Sequence, residues 1–443
     1  MHPPSAEEFV GALPWEALQA LAPPELDRVN GPTNAQASLR LFGQDASCVR
    51  VTLYRDHHAW CPYCQKVWLW LEERRIPYRI RKVTMHCYGE KEPWYRQRVP
   101  SGMLPALELD GRLITESDRI LEGLEQVFGS IGPGMQDPSV LPLRQLERVL
   151  FRAWCEWLCQ PHSAASGERA RGQFQRVAQT MEQAIEASGG PFLLGRDLSS
   201  ADLVFVPYVE RMNASLAYYK GLLLRQAHPA IDRWLMALEQ RPTYLGTQSD
   251  FHTHAHDLPP QMGGCYPSGE AGQRALATRI DQGPWPISGL GGVASSLPLA
   301  ERDPETSQPE PADAARVALA RVLRHREAIV ARNPLPPDRF EPALRCALSL
   351  LVAPKGEEGL AASTLPRPPA GSAAGLRHLR DRISVPRDMP LHAARRLRQA
   401  LETTALMDPT DPQGQGAPIP LHHRRDQDPR PFLPSVGHGP EWA

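Results

Sequence analysis

Lysine is nearly absent from this chain: five residues stand against 44 arginines in 443 positions. Such a ratio is as much a mark of GC-rich coding as of function. An excess of either charge is missing too. Lys+Arg is 49 and Asp+Glu is 50, a formal net charge of −1. That balance argues against a protein whose main task is gripping nucleic acid or an anionic membrane. Long apolar runs are missing. Ala343–Ala353 is among the longest, is interrupted by Arg345, and is far too short to span a bilayer. The first residues, MHPPSAEEFVGALPW, lack a basic segment followed by an apolar one, so no secretory signal is expected. Eight cysteines in this length are too few for a disulfide scaffold. No internal repeat is evident. The expectation is a cytoplasmic protein in a reducing compartment, without nucleic-acid or membrane partners.

What is abundant is proline, and it divides the chain. Of 46 prolines, 21 lie in residues 1–266 and 25 in 267–443, whereas eight of ten tryptophans lie in the first part. Large aromatics mark cores, so residues 50–250 should hold the well-packed part. Residues 1–48 read as a loose lead-in with one short helical piece. Segments 266–312 and 408–443 are rich in Pro, Gly, Ser and Asp and read as linkers or tails. Helices are expected between them: one after Asp313, then Phe340–Val352, Leu376–Ile383 and Leu391–Leu406. Their arginine-rich sides are expected to face water.

Residues 49–128 are the most legible. Val49–Arg55 alternates as a strand does, and the turn HHAWCPYC follows. Gln65–Arg75 has helical spacing of Val67, Leu69, Trp70 and Leu71. Tyr78–Met85 alternates again, and Glu90–Arg98 suits a short helix. Ala106–Leu109 and Leu113–Thr115 flank Asp110-Gly111, a hairpin signal. Ser117–Phe128 closes the series as an amphipathic helix. Strand, helix, strand, helix, hairpin, helix is the thioredoxin-like α/β pattern. From Leu143 to about Gln240 the sequence reads as helix throughout.

The sharpest chemical signal is Cys61-Pro62-Tyr63-Cys64, between a strand and a helix. A thiolate at Cys61 would meet the unpaired N–H groups and positive dipole end of that helix, which lowers a thiol pKa. Pro62 suits the first helical position. Cys64, one turn on, can attack a disulfide formed at Cys61 and resolve it. The alternatives are a zinc half-site or an inert buried pair. A second C-x-x-C is absent, and the strand–turn–helix setting favours redox or glutathione chemistry. No metal site is assigned.

CPYC after a strand is also the tetrad of glutaredoxins. The longer run, HHAWCPYCQKVWLWLEERRIPY through VPSGMLPALELDGRLITESDRI, resembles the N-terminal domain of cysteine-type glutathione transferases, the omega-like and dehydroascorbate reductase classes above all. It is also similar to a longer glutathione-transferase-like branch of cyanobacteria and plastid-bearing organisms. The resemblance covers about residues 49–250. It implies a thioredoxin-like glutathione-binding domain over 49–130 and an all-helical domain over 131–258. The lead-in 1–48 and a Pro-rich helical extension, 259–443, lie outside it.

In such a family Cys61 is the catalytic thiol, with Cys64 as a second, glutaredoxin-like one. Leu104-Pro105 matches the cis-proline turn that bonds the glutathione cysteinyl backbone. Glu116 and Ser117 match the pair that holds the γ-glutamyl end, and Lys91 a lysine that meets the glycyl carboxylate. Ser199 and Asp202 match a structural capping box. The implied function is a glutathione-dependent thiol transferase or reductase, with glutathione as co-substrate and a small oxidised or glutathionylated acceptor. The family also implies a homodimer. Two other readings stay open: a non-catalytic interaction or redox-sensing module, and conjugation of glutathione to electrophiles. CPYC argues mildly against the glutathionyl-hydroquinone reductases, which commonly have C-P-W-A here.

Weaker signals complete the reading. His57 and His58 can tune Cys61 if their rings face it. Cys155 and Cys159, four apart, read as packing rather than metal ligands. His252, His254 and His256 read as part of an exit loop. Trp154, Trp157, Tyr208, Tyr218 and Tyr219 are candidates for the acceptor pocket, of which one or two should line it.

Overall fold

The computed structural model describes residues 11–282, 303–353 and 367–410. Its sheet has the order β1 (Leu39–Arg40), β3 (Tyr78–Val83), β2 (Val51–Asp56), β4 (Ala106–Leu109), β5 (Arg112–Thr115). Strand β2 (Val51–Asp56) leads through helix α2 (Pro62–Glu73) to β3 (Tyr78–Val83), which lies parallel to it. A parallel neighbour requires such a crossover, and the apolar residues of α2 cover the sheet. After the short α3 (Pro93–Arg98) come β4 (Ala106–Leu109) and β5 (Arg112–Thr115), both antiparallel. Asp110 (φ +50°) and Gly111 (φ +81°) form the tight turn between them. Both central residues need the left-handed region there, which an Asp-Gly pair tolerates. Helix α4 (Ser117–Phe128) buries Ile120, Leu121 and Leu124. These elements match the α/β pattern read from the sequence.

The lead-in is more ordered than expected. Leu39–Arg40 forms β1, antiparallel to β3. Arg40 is buried and bonds the Glu72 carboxylate (2.9 and 3.0 Å), which also accepts from Tyr78 and Thr33. A two-residue strand has no periodicity to detect, so the sequence carried no sign of it.

The helical domain packs α5 (Val140–Cys159) and α6 (Ala164–Ala187) around α7 (Ser200–Ser215). Every residue of α7 is buried. The capping box at its start is present: Ser199 N donates to Asp202 Oδ2 (2.9 Å), and Asp202 Oδ1 also receives Leu193 N and the Trp234 indole. Helix α7 runs on as a π-turn, Leu216–Lys220, to Gly221 at φ +71°. Helices α8 (Leu224–Ala227), α9 (Pro229–Leu238) and α10 (Pro242–Thr247) follow.

Next, two expectations fail. FHTHAHD is not a loop but the first turns of helix α11 (Phe251–Met262), and all three histidines are buried. Asp250 caps it, accepting from Thr253 N at 2.9 Å. Alternating histidines and the Pro259-Pro260 pair hid a helix whose first nine residues are all buried. The segment read as a linker from 266 also contains helix α12 (Ala271–Gln282).

The main apolar core of this part runs from Ala35 to Ile280, with a small satellite of Tyr54, Val83, Tyr95, Val99 and Ala106. A second joins Leu18 of α1 (Trp15–Leu21) to α13 (Ala314–Arg324), α15 (Pro337–Leu351), α16 (Ala373–Arg382) and α17 (Leu391–Leu406). Between α13 and α15 lies the short α14 (Arg326–Ala331). Five of the arginines of α16 and α17 do not face water. Arg377 and Arg380 pair with Glu402, Arg395 with Asp303 and Glu305, Arg396 with Glu310, and Arg398 with Asp250. All five arginines are buried. Arginine's planar fork suits a buried carboxylate, so helical charge spacing alone does not mark a wet face.

Candidate functional site

Cys61 occupies the N-cap of α2, with Pro62 in the first helical position. Both thiols of the motif are buried, Cys61 at 5% exposure and Cys64 at 1%, and they are not joined. Their sulfurs and an Asp56 carboxylate oxygen all lie within 4.8 Å of one another. Asp56 ends β2. Its Oδ2 accepts from the backbone N–H of Trp60 (2.7 Å) and of Cys61 (3.2 Å), which fixes the turn that presents the thiol. Burial pushes the Cys64 thiol well above its usual range, and its contact with Cys61 pushes the same way.

Beneath the turn lies a buried polar network that joins the two domains. The Trp60 indole donates to His254 Nδ1 (3.0 Å). An indole N–H only donates, so the ring proton of His254 sits on Nε2 and faces Glu210 at 2.8 Å. Burial lowers the His254 pKa and keeps the ring neutral. Glu210 also receives Ser249 N (3.0 Å) and Gln65 Nε2 (3.2 Å). Arg211 donates to Gln65 Oε1 (2.9 Å) and to the Trp60 carbonyl, and its guanidinium lies 4.5 Å from the Trp60 ring centre. The residues on each side of the Cys61 turn are thus bound to α7 and α11 as well as to α2.

The thiol opens on a cavity of about 600 Å³ between the domains. Cys61, Tyr63, Lys91 and Leu104 line one side; Phe151, Trp154, Tyr208, Leu258 and Met262 line the other. Lys91 Nζ donates to the Thr84 carbonyl (2.9 Å), and burial lowers its pKa. The Leu104–Pro105 bond is cis. Pro105, Glu116 and Ser117 are not part of this lining. Glu116 is exposed at the N-cap of α4, at φ +65°, a conformation uncommon for a residue with a side chain. Ser117 is buried as the first residue of that helix.

Of the aromatic candidates, Trp154 and Tyr208 line the cavity. Trp157 packs on Phe174, Tyr218 bonds Asp281, and Tyr219 bonds the Ala255 carbonyl. His57 faces Glu92 (3.4 Å) and His58 stacks on Tyr88, so neither ring lines the cavity. Sequence reasoning missed Asp56, Gln65, Glu210 and Arg211. Only Asp56 carried a signal, as the acidic residue at the end of the strand that feeds the motif.

A thiol at a helix start after a parallel strand, facing a cavity closed by a helical domain, defines a thioredoxin-like thiol protein with a helical partner domain. The comparisons narrow the class. Residues 60–127 match the model of the glutathione S-transferase N-terminal domain, and 164–236 that of the glutathione S-transferase C-terminal domain. The chain is 24% identical over 189 residues to glutathione S-transferase DHAR2 of Arabidopsis thaliana, covering 43% of this chain and 84% of that protein. It is 28% identical over 211 residues to the glutathione S-transferase-like protein OpS6 of Beauveria bassiana, covering 44% and 94%. Glutathione transferase Omega 3C of Trametes versicolor, a solved structure, aligns with a TM-score of 0.42 at 21% identity, over 59% of this chain and 97% of that one. The two matches follow the order of the two domains described above and together take in about a third of the chain. Among the described residues, no helix is long and apolar enough to cross a membrane.

Proposed function

We propose that this protein is a glutathione-dependent thiol transferase or reductase with Cys61 as nucleophile. The observation that carries the reading is the placement of Cys61. It caps a twelve-residue helix, borders a cavity of about 600 Å³, and touches a second, more deeply buried thiol. The orphan N–H groups of the first turn of α2 favour negative charge at that point. Lys91 and Leu104, which line the cavity, hold glutathione together with Pro105, Glu116 and Ser117. Phe151, Trp154 and Tyr208 face the acceptor.

In the reaction, the Cys61 thiolate attacks the glutathione sulfur of a glutathionylated acceptor, and the acceptor leaves as a thiol once protonated. The resulting mixed disulfide is opened by a second glutathione, giving glutathione disulfide. Alternatively Cys64 attacks Cys61, releasing glutathione and leaving a protein disulfide that further glutathione reduces. The raised Cys64 thiol stays protonated during the first attack. With dehydroascorbate as acceptor, two glutathiones supply the two electrons and two protons.

The test is turnover of glutathione with a small mixed disulfide and with dehydroascorbate, for wild type, Cys61→Ser and Cys64→Ser. Cys61→Ser should lose about 10³-fold or more. The Cys64 variant separates the one- and two-thiol routes. An inactive wild type overturns the reading. If glutathione still protects Cys61 from alkylation in that case, the site binds without catalysing.

A further inference from the structure

Three cysteines away from the motif also meet. Cys155 and Cys159 lie one turn apart near the end of α5, half-buried. Cys265 follows α11 and is buried. The Tyr266 N–H donates to the Leu158 carbonyl at 2.9 Å. That bond joins the peptide link after Cys265 to the link before Cys159, so the two residues sit beside each other on adjacent stretches of chain. The Cys159 and Cys265 thiols face each other across this join. Lys220 fixes the same loop, donating to the Tyr266 carbonyl at 2.6 Å, and its charge acts on both Cys159 and Cys265.

We infer that Cys159 and Cys265 are a second redox-active dithiol, which glutathione disulfide closes to a disulfide joining the end of α5 to the loop after α11. The roles within the pair follow from access and nearby charge: Cys159 is half-buried whereas Cys265 is buried, and the Lys220 charge favours a thiolate there. Cys159 accepts from the Cys155 and Cys265 thiols and lies near Lys220, all of which hold its thiol well below the usual range. Contact with Cys159, together with burial, pushes the Cys155 and Cys265 thiols up. Cys159 is therefore the attacking thiolate. It attacks one sulfur of glutathione disulfide. The S–S bond breaks, one glutathione leaves as thiolate, and a mixed disulfide forms on Cys159. Cys265 then gives up its proton and attacks the Cys159 sulfur, expelling the second glutathione. Two electrons pass from the protein to the oxidant, and the two thiol protons end on two glutathiones.

The consequence lies in what the bond would join. Helix α5 carries Phe151 and Trp154, and α11 carries Leu258 and Met262, all lining the far side of the Cys61 cavity. Closing the pair staples that wall. The inference does not rest on the function proposed for Cys61.

The test uses the full, unmodified chain. It is equilibrated with glutathione disulfide, blocked with N-ethylmaleimide, digested and mapped by mass spectrometry. The expected product is a cross-link between the peptides that carry Cys159 and Cys265, lost on treatment with dithiothreitol. Cys265→Ser should instead retain a glutathione adduct on Cys159, and Cys155→Ser should still close. Three results overturn the inference: Cys159 stays open to maleimide, a glutathione adduct persists on it in the unmodified chain, or the link formed is Cys155–Cys159.

Discussion

The two apolar cores use buried charge in different ways. Under Cys61, the charged and polar groups Asp56, Glu210, His254 and Arg211 bond to backbone or to one another within one compact turn-and-helix junction. They hold the Cys61 turn in shape and tie it to α7 and α11 through hydrogen bonds to backbone and neutral groups. In the second core, arginines reach across to carboxylates far away in sequence: Arg398 to Asp250, Arg395 to Asp303 and Glu305, Arg377 to Glu402. They hold separate pieces of chain together. Asp250 belongs to the first core's side, as the cap of α11, so the Arg398 pair is a seam between the two. The lesson is that a buried ion pair is read by what it joins, not by its count. Removing half of one should be costly in either place, with different consequences.

The largest effect should come from breaking the seam. Arg398→Met leaves the Asp250 carboxylate buried beside an apolar chain and also removes the donor to the Ile383 carbonyl (2.7 Å). Loss of one partner of a buried pair costs about 3–5 kcal/mol. The measurement is the urea midpoint followed by tryptophan fluorescence, which reports mainly the first core. Adding Asp250→Asn, which keeps a capping oxygen but no charge, should recover much of the loss. A shift under about 1 kcal/mol in the single variant would mean that the two cores are not coupled through this pair.

Next in size is Leu18→Ala. Leu18 is the one fully buried residue of α1, and it sits in the second core with Leu319, Phe340 and Leu344 although more than 290 residues separate them in sequence. Emptying such a site costs about 2–5 kcal/mol. If the N-terminal helix were only a lead-in, the substitution would leave the midpoint where it was. The same experiment with the first-core fluorescence and with far-ultraviolet dichroism shows whether the two cores then melt together or apart.

How much of this was legible depended on the period of each element. Strands and helices from Val51 to Phe128 alternate or repeat cleanly, and the Asp-Gly turn and the cysteine pair fall at the joints between them. The capping box of α7 was readable from its S-x-x-D pattern, whereas the cis proline came only from the resemblance to cysteine-type glutathione transferases. What escaped was long-range. Arg40 on a two-residue strand, Arg211 beneath Trp60, and His254 between Trp60 and Glu210 acquire meaning only from partners 32, 151, and 194 and 44 positions away. The arginine faces of α16 and α17 failed for the same reason: an arginine facing water and one facing a distant carboxylate have the same helical spacing.

The smallest predicted effect is a pH dependence confined to the seam. Around Glu305, three carboxylates (Asp250, Asp303 and Glu305) share two guanidiniums, those of Arg395 and Arg398. One carboxyl is left short of compensating charge. Burial, with Asp250 and Asp303 nearby, raises Glu305 from 4.5 to about 7 against the pull of Arg395. The folded protein therefore keeps this proton to higher pH than the unfolded chain does. The stability it contributes is full below pH 4.5 and is lost as pH rises through 7. A shift of this size is worth at most about 3 kcal/mol. His392 near Arg395 is lowered to about 4 by burial, and its contribution runs the other way, lost as pH falls from 6.5. Comparison with Glu305→Gln separates the two, because the glutamine is neutral throughout and leaves His392 in place. Between pH 5 and pH 8 the wild-type midpoint should fall relative to that variant. Parallel curves would show that Arg395 keeps Glu305 ionised in the folded protein, and the seam would then hold three charged carboxylates on two guanidiniums.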